Sequence, residues 1–219
     1  MPRVKRDFNR ISGVRDPSLI VIAFEGEVTE LRYFEGVKDK LDEIESKLKI
    51  EPLPARKNLS SPKHVLEQMN AYRKKYGIGK DDELCLVIDR DKQSWEESEI
   101  ALVAQECAQK EYLLALSNPC FELWLLLHHQ DVATQSEELK QRILENRSQF
   151  IKSHLSTVMG GFNTANMNID RFWAQTELAI ERARILDVDP SDRWPNGLAT
   201  RVYLIMEKVF KNWTPKLAE

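Results

Sequence analysis

Residues 19–26 read LIVIAFEG, and this stretch decides the fold class. The apolar run Leu19–Phe24 is short, continuous and rich in β-branched residues, which is typical of a strand buried on both faces in a parallel sheet. It ends abruptly at Glu25-Gly26. Beyond that turn, apolar residues recur at helical spacing and predict an amphipathic helix from about Thr29 to Lys47. Strand, tight turn and helix form the first half of a βαβ unit.

The alternation of strand and helix continues as far as Pro119. Further strands are predicted at Ile50–Arg56, Glu83–Ile88 and Tyr112–Leu116, and further helices begin at about Pro62 and Ser94. Four β-then-α repeats predict an α/β fold with a mostly parallel, four-stranded, doubly wound sheet flanked by helices.

Beyond Pro119 every periodic segment predicts a helix and none predicts a strand. The predicted helices are Phe121–His128 with Asn118 as its N-cap, Glu137–Leu155, Ile169–Leu186 and Thr200–Trp213. We therefore divide the chain into a basic N-terminal segment (1–17), an α/β core (18–130) and a helical C-terminal region (131–219) packed on the core.

Composition excludes several classes of protein. A chain of 219 residues suits one domain with a modest annex. No apolar run approaches the roughly 18 residues that a membrane helix needs, and the basic N-terminus lacks the apolar segment of a secretory signal. The three cysteines lack CxxC spacing and are interpreted as small core residues in a reducing compartment. We expect a cytoplasmic protein that does not bind membranes.

Acidic residues follow two of the predicted buried strands. Glu25 follows the first, and Asp89 and Asp91 follow the third. Because ligands bind beyond the carboxyl ends of parallel strands, the predicted sheet brings these three carboxylates to one edge. Clustered carboxylates repel one another unless a cation neutralises them, and Mg²⁺ prefers oxygen ligands. We predict a Mg²⁺ site at Glu25, Asp89 and Asp91 that serves phosphoryl transfer, with Mn²⁺ as a substitute.

Other residues near these positions have two interpretations each. Glu30 and Glu122 lie in the first turns of predicted helices, where an acid either supports the site or favours the helix dipole. His128 and His129 end an apolar helix, where a histidine either binds a ligand or favours the C-terminal dipole.

Longer motifs carry a family resemblance. A buried strand ending in Glu25-Gly26 and a later one ending in Asp89-Arg90-Asp91 resemble the Toprim pattern of topoisomerases, primases and overcoming-lysogenization-defect nucleases. The segments FEGEVTE (24–30), VIDRD (87–91) and SNPCFELWLLLH (117–128) resemble more closely the RloB-like family of bacterial and archaeal defence loci.

The resemblance implies a Toprim-like (Rossmann-like) nuclease fold, often encoded beside an ATPase that restrains or activates it, as in abortive-infection systems. Carried over, Glu25 is the general acid/base, Asp89 and Asp91 are metal ligands, and Glu30 and Glu122 are supporting acids. The segment WPNGLAT (194–200) departs from an Asn-Pro-Ser-Thr-like stretch of the family, so the role of this turn stays open.

Three functions follow as hypotheses. The first is a Mg²⁺-dependent nuclease that cleaves RNA, such as tRNA, or DNA as the effector of an ATPase-coupled anti-phage system. The second is a haloacid-dehalogenase-like phosphatase with Asp89 as nucleophile, although Lys92-Gln93 follows where that motif continues with Thr or Val. The third is a non-catalytic module that docks on an ATPase. The sequence leaves both the substrate and the oligomeric state open, a homo-oligomer included.

Overall fold

A five-stranded sheet forms the centre of the protein in a computed structural model that describes residues 18–55, 61–90 and 96–213. The strands are β1 (Ser18–Phe24), β2 (Leu48–Leu53), β3 (Glu83–Asp89), β4 (Leu113–Asn118) and β5 (Ala199–Thr200). Their order is β2-β1-β3-β4-β5; the first four run parallel, and β5 pairs antiparallel with β4. The predicted basic segment 1–17 and Asp91 lie outside the described residues.

Helices cover both faces of the sheet. The crossovers contain α1 (Thr29–Glu43), α2 (Pro62–Lys75) and α3 (Glu97–Lys110). The C-terminal half adds α4 (Glu122–His129), α5 (Glu137–Glu145), α6 (Phe150–Val158), α7 (Asp170–Trp173), α8 (Thr176–Leu186) and α9 (Tyr203–Lys211). In the described part of the chain, no helix combines the length and apolarity needed to cross a membrane.

The continuous apolar run of β1 is explained by burial on two sides. Ile20, Ile22 and Phe24 belong to the larger core cluster, which also contains residues of α1, α4, α6, α8 and α9. The alternate residues Leu19, Val21 and Ala23 belong to a second cluster with α2 and α3. Because successive side chains of a strand point to opposite faces, both sets must be apolar.

The prediction of four strands and of an entirely helical C-terminal half was wrong at one place. Ala199 and Thr200 pair with Asn118 and Ser117 and form a fifth strand, and the last helix begins only at Tyr203. A strand of two residues is too short to show an alternating pattern, so its sequence carried no strand signal.

Two helices that were predicted as continuous are broken. The predicted helix Glu137–Leu155 is interrupted where Asn146, Ser148 and Gln149 adopt positive φ values of 45°, 53° and 57°. The Asn146 side chain accepts a hydrogen bond from the backbone N–H of Ile151 at 3.1 Å and so replaces a backbone acceptor at the break. The predicted helix Ile169–Leu186 is likewise divided into α7 and α8. Neither break contains the Gly or Pro that would have marked it.

Asn118 does not cap α4, contrary to the prediction, because it is the last residue of β4 and α4 begins at Glu122. Its side-chain amide donates to the carbonyls of Asn196 (3.1 Å) and Gly197 (2.8 Å). Arg90 donates to the Pro195 carbonyl at 3.1 Å. The turn whose role the sequence left open is therefore fastened to the ends of β3 and β4.

Candidate metal centre

Glu25 and Asp89 lie beside each other at the carboxyl edge of the sheet. β1 and β3 are neighbours with Phe24 opposite Val87, and the Glu25 N–H donates to the Val87 carbonyl at 3.2 Å. The Asp89 N–H in turn points at Glu25 Oε2, at 3.4 Å. The two acids thus lie at the carboxyl edge of the sheet, where the sequence predicted them, and the structure adds that their strands are neighbours.

Glu30 turns back from the first turn of α1 toward the same edge. Its Oε1 accepts a hydrogen bond from the Gly26 N–H at 3.1 Å, and a Cβ atom at Gly26 would collide with the carboxylate. Glycine at this position therefore makes room for the acid. Glu30 is only 5% exposed, and burial raises its pKa to about 7, with the charge of Glu122 adding to the rise.

Asp89 carries a buried carboxyl group that lies near three other acids. Burial raises its pKa well above the ordinary value, and the charges of Glu30, Glu122 and Glu25 raise it further. Its Oδ1 atom is buried and has no hydrogen-bond partner in the described part of the chain. A buried carboxylate oxygen without a donor is costly unless a cation compensates it.

Cys120 from the connection between β4 and α4, and Glu122 from the first turn of α4, complete the group. Possible ligand atoms of Asp89, Cys120 and Glu122 all lie within 4.8 Å of one another. Glu122 is 5% exposed, and the ammonium group of Lys152 on α6 lies 3.5 Å from its Oε1. We therefore name Glu25, Glu30, Asp89 and Glu122 the acid cluster.

Cys120 is buried, as a small core residue was expected to be, but its sulfur faces the acid cluster. Burial raises the pKa of the Cys120 thiol well above its usual range, and the charges of Glu122 and Asp89 act in the same direction. At neutral pH it is therefore a protonated thiol. Sequence reasoning missed this placement, because an isolated cysteine has no ligand spacing.

A cleft of about 450 Å³ is lined by three members of the acid cluster, Glu30, Asp89 and Glu122, whereas Glu25 is not among its described lining residues. One wall consists of the turn after β1 and the start of α1, together with Asp89, Cys120 and Glu122; the other carries Asn146, Gln149, Lys152 and Thr164 from the helical region. Sequence reasoning missed this second wall, since its polar residues form no motif and depend on the break between α5 and α6.

One known protein family matches most of the chain. The family model described as "RloB-like protein" matches residues 20–209, from within β1 to within α9. The chain belongs to the RloB-like family. No curated protein and no solved structure matches this RloB-like chain.

The donor set of this RloB-like protein fits a divalent cation. The buried, unpartnered Oδ1 of Asp89 and the carboxylate of Glu122 supply the hard oxygen ligands that Mg²⁺ and Mn²⁺ prefer. Glu25, a predicted ligand, contacts the Asp89 backbone N–H and is not in the group of ligand atoms that lie within 4.8 Å of one another. The Cys120 thiol is a poor ligand for Mg²⁺, and it would bind a softer ion such as Zn²⁺ only as the thiolate, releasing its proton to solvent. Asp91, the third predicted ligand, lies outside the described residues.

His128 belongs to the core and does not line the cleft. Its Nδ1 donates to the Trp124 carbonyl at 2.9 Å, and its ring packs edge-on against Trp124 and Phe172. Burial lowers the pKa of His128 to about 3, so the ring is neutral. The His129 ring also contacts Phe172, and burial lowers its pKa.

Proposed function

We propose that this RloB-like protein is a Mg²⁺-dependent nuclease with a Toprim-like site. The observation that carries the proposal is the buried, unpartnered Oδ1 of Asp89, which lies among carboxylates at an open cleft. Glu25 directly follows β1, and Asp89 is the last residue of the neighbouring parallel strand β3. A glutamate after one buried strand and an aspartate at the end of a later strand are the features on which the Toprim resemblance rests. A cation there would lie at the carboxyl edge, where α/β sheets bind ligands.

Each acid of the cluster has a role in the proposal. Asp89 and Glu122 would hold the metal ion, and Asp91 keeps the ligand role implied by the family resemblance. When bound, the metal supplies positive charge that polarises the phosphodiester and stabilises its transition state. Glu25 accepts the proton of the attacking water. Burial raises the pKa of Glu30 to about 7, so in the metal-free protein about half of the molecules carry a proton on Glu30 at neutral pH.

The biological setting is part of the same proposal and is supported by the family resemblance. The protein acts in the cytoplasm as the effector of an anti-phage, abortive-infection system, and an ATPase encoded nearby restrains or activates it. The substrate is nucleic acid, either RNA such as tRNA or DNA, because both present the phosphodiester that the proposed chemistry requires.

Cleavage assays test the proposed activity. RNA and DNA are incubated with the purified protein and Mg²⁺ or Mn²⁺, and Glu25→Ala and Asp89→Asn are compared with wild type. We expect both variants to lose at least about a hundredfold in rate, since removal of metal-site residues has large effects. Glu35→Gln is the matched control, because Glu35 lies on α1 with a half-exposed side chain paired to Arg32.

The outcomes separate the proposal from the two alternatives. Equal cleavage by wild type and both variants would reject the assigned site. Hydrolysis of an aryl phosphate without cleavage of phosphodiesters, lost in Asp89→Asn, would favour the phosphatase. Stable association with an ATPase and toxicity that survives both substitutions would favour the non-catalytic module.

A further inference from the structure

One cation faces the acid cluster across the cleft. The Lys152 ammonium lies 3.5 Å from Glu122 Oε1, and Lys152 is the only Lys or Arg among the described residues that line the cleft. The Glu122 side chain is 6% exposed, whereas that of Lys152 is 49% exposed. The acid is therefore fixed in the protein interior, and its lysine partner reaches it from the solvent side on a flexible stem.

A divalent ion and Lys152 compete for the same carboxylate. An ion held by Asp89 and Glu122 would lie close to the Lys152 ammonium and would repel it. Because its side chain is half exposed, Lys152 can turn away from Glu122 without leaving the cleft. Its charge would then be available to an anionic ligand that enters the cleft.

We propose that Lys152 is an exchangeable counter-ion that neutralises Glu122 before metal binding and afterwards binds a phosphate of the nucleic-acid substrate. This inference rests on the proposed nuclease function and adds a substrate-binding residue from the helical region. A lysine is a common phosphate ligand because its ammonium acts as a point charge. The cleft needs such a charge, since its other charged side chains are Glu27, Glu30, Asp89 and Glu122.

The proposal predicts opposite effects of one substitution on two ligands. In Lys152→Gln, Mn²⁺ binds about two- to fivefold more tightly, because the competing ion pair is half exposed and contributes modestly. The same variant binds a single-stranded oligonucleotide more weakly. The slope of log affinity against log salt concentration becomes shallower by about 0.7, which is the change expected for the loss of one phosphate contact with a single strand.

Two binding measurements test the proposal. Mn²⁺ affinity is measured by isothermal titration calorimetry without nucleic acid. Binding of fluorescein-labelled RNA and DNA single strands is measured by anisotropy at several NaCl concentrations, with Ca²⁺ in place of Mg²⁺. Lys152→Arg keeps the charge and should restore both values toward wild type. Lys140→Gln is the matched control, because Lys140 forms an ion pair with Glu137 on α5 and does not line the cleft.

The results distinguish failure of this inference from failure of the proposed function. Unchanged or weaker Mn²⁺ binding by Lys152→Gln would overturn the counter-ion role. A wild-type protein that cleaves nucleic acid while Lys152→Gln keeps the wild-type salt slope would overturn the phosphate contact alone. A wild-type protein that neither binds nor cleaves nucleic acid would overturn the proposed function and the phosphate contact together, whereas the Mn²⁺ measurement would still decide the counter-ion role.

Discussion

Replacing Glu30 by Gln should stabilise the metal-free protein at high pH and leave its stability nearly unchanged at low pH. The pKa of Glu30 is raised by burial from 4.5 to about 7, so the folded state holds this proton more tightly than the unfolded state. Wild type therefore loses stability as the pH rises through that interval, and the loss is complete above pH 7. A glutamine has no proton to lose.

The size of the effect follows from the pKa shift. At about 1.4 kcal/mol per pH unit, the rise to about 7 corresponds to a penalty of about 3 kcal/mol in wild type at about pH 8. Gln can keep the hydrogen bond that Glu30 accepts from the Gly26 N–H, and its amide group would face the remaining acids. For a protein of this size, the gain corresponds to a rise in Tm of roughly 6–12 °C.

Urea denaturation followed by tryptophan fluorescence, with EDTA present, measures the free energy of unfolding between about pH 5 and about pH 8. Glu35→Gln on the same helix is the control, and its half-exposed side chain should give no pH-dependent gain. A Glu30→Gln variant whose stability relative to wild type does not change with pH, or falls as the pH rises, would refute the reasoning. Addition of Mg²⁺ should reduce the advantage of Glu30→Gln, because a bound cation relieves the same repulsion in wild type.

Three further substitutions test other parts of the structure. Asp187→Ala leaves the buried Arg201 guanidinium without the carboxylate that it contacts at 2.9 and 3.2 Å, and should lower the free energy of unfolding by about 3–5 kcal/mol in urea denaturation. Asn118→Ala removes the donor that fastens the turn 195–197 and should cost about 1–3 kcal/mol, with faster hydrogen exchange around that turn. Cys120→Ser should weaken Zn²⁺ binding by at least about tenfold and change Mn²⁺ binding by less than about twofold in competition titrations, because only the softer ion favours a sulfur ligand.

Each of these predictions has a clear contrary result. An Asp187→Ala variant as stable as wild type would show that Arg201 finds other compensation. Unchanged exchange in Asn118→Ala would mean that the turn is held mainly by Arg90. Equal losses of Zn²⁺ and Mn²⁺ affinity in Cys120→Ser would place the thiol in a structural role.

Local sequence patterns were sufficient for the α/β alternation and for part of the candidate site. The run Leu19–Phe24 and its counterpart Glu83–Ile88 predicted strands buried on both faces, and the structure confirms both. Because parallel strands end at one edge, the positions of Glu25 and Asp89 after these runs were enough to place both acids at that edge. Their contact also requires β1 and β3 to be neighbours, which the sequence did not predict.

The rest of the site depends on contacts between residues that are distant in the sequence. Glu122 and Cys120 reach Asp89 because β4 lies beside β3, and Lys152 reaches Glu122 because α6 packs on α4. The break at Asn146 and the two-residue strand β5 left no periodic pattern to detect. The sequence by itself thus determined the helices and strands whose pattern of apolar residues is complete within one segment of the chain. Only the tertiary structure decided which other side chains line the cleft with the acids. That depends on how helices from separate segments of the chain pack against one another.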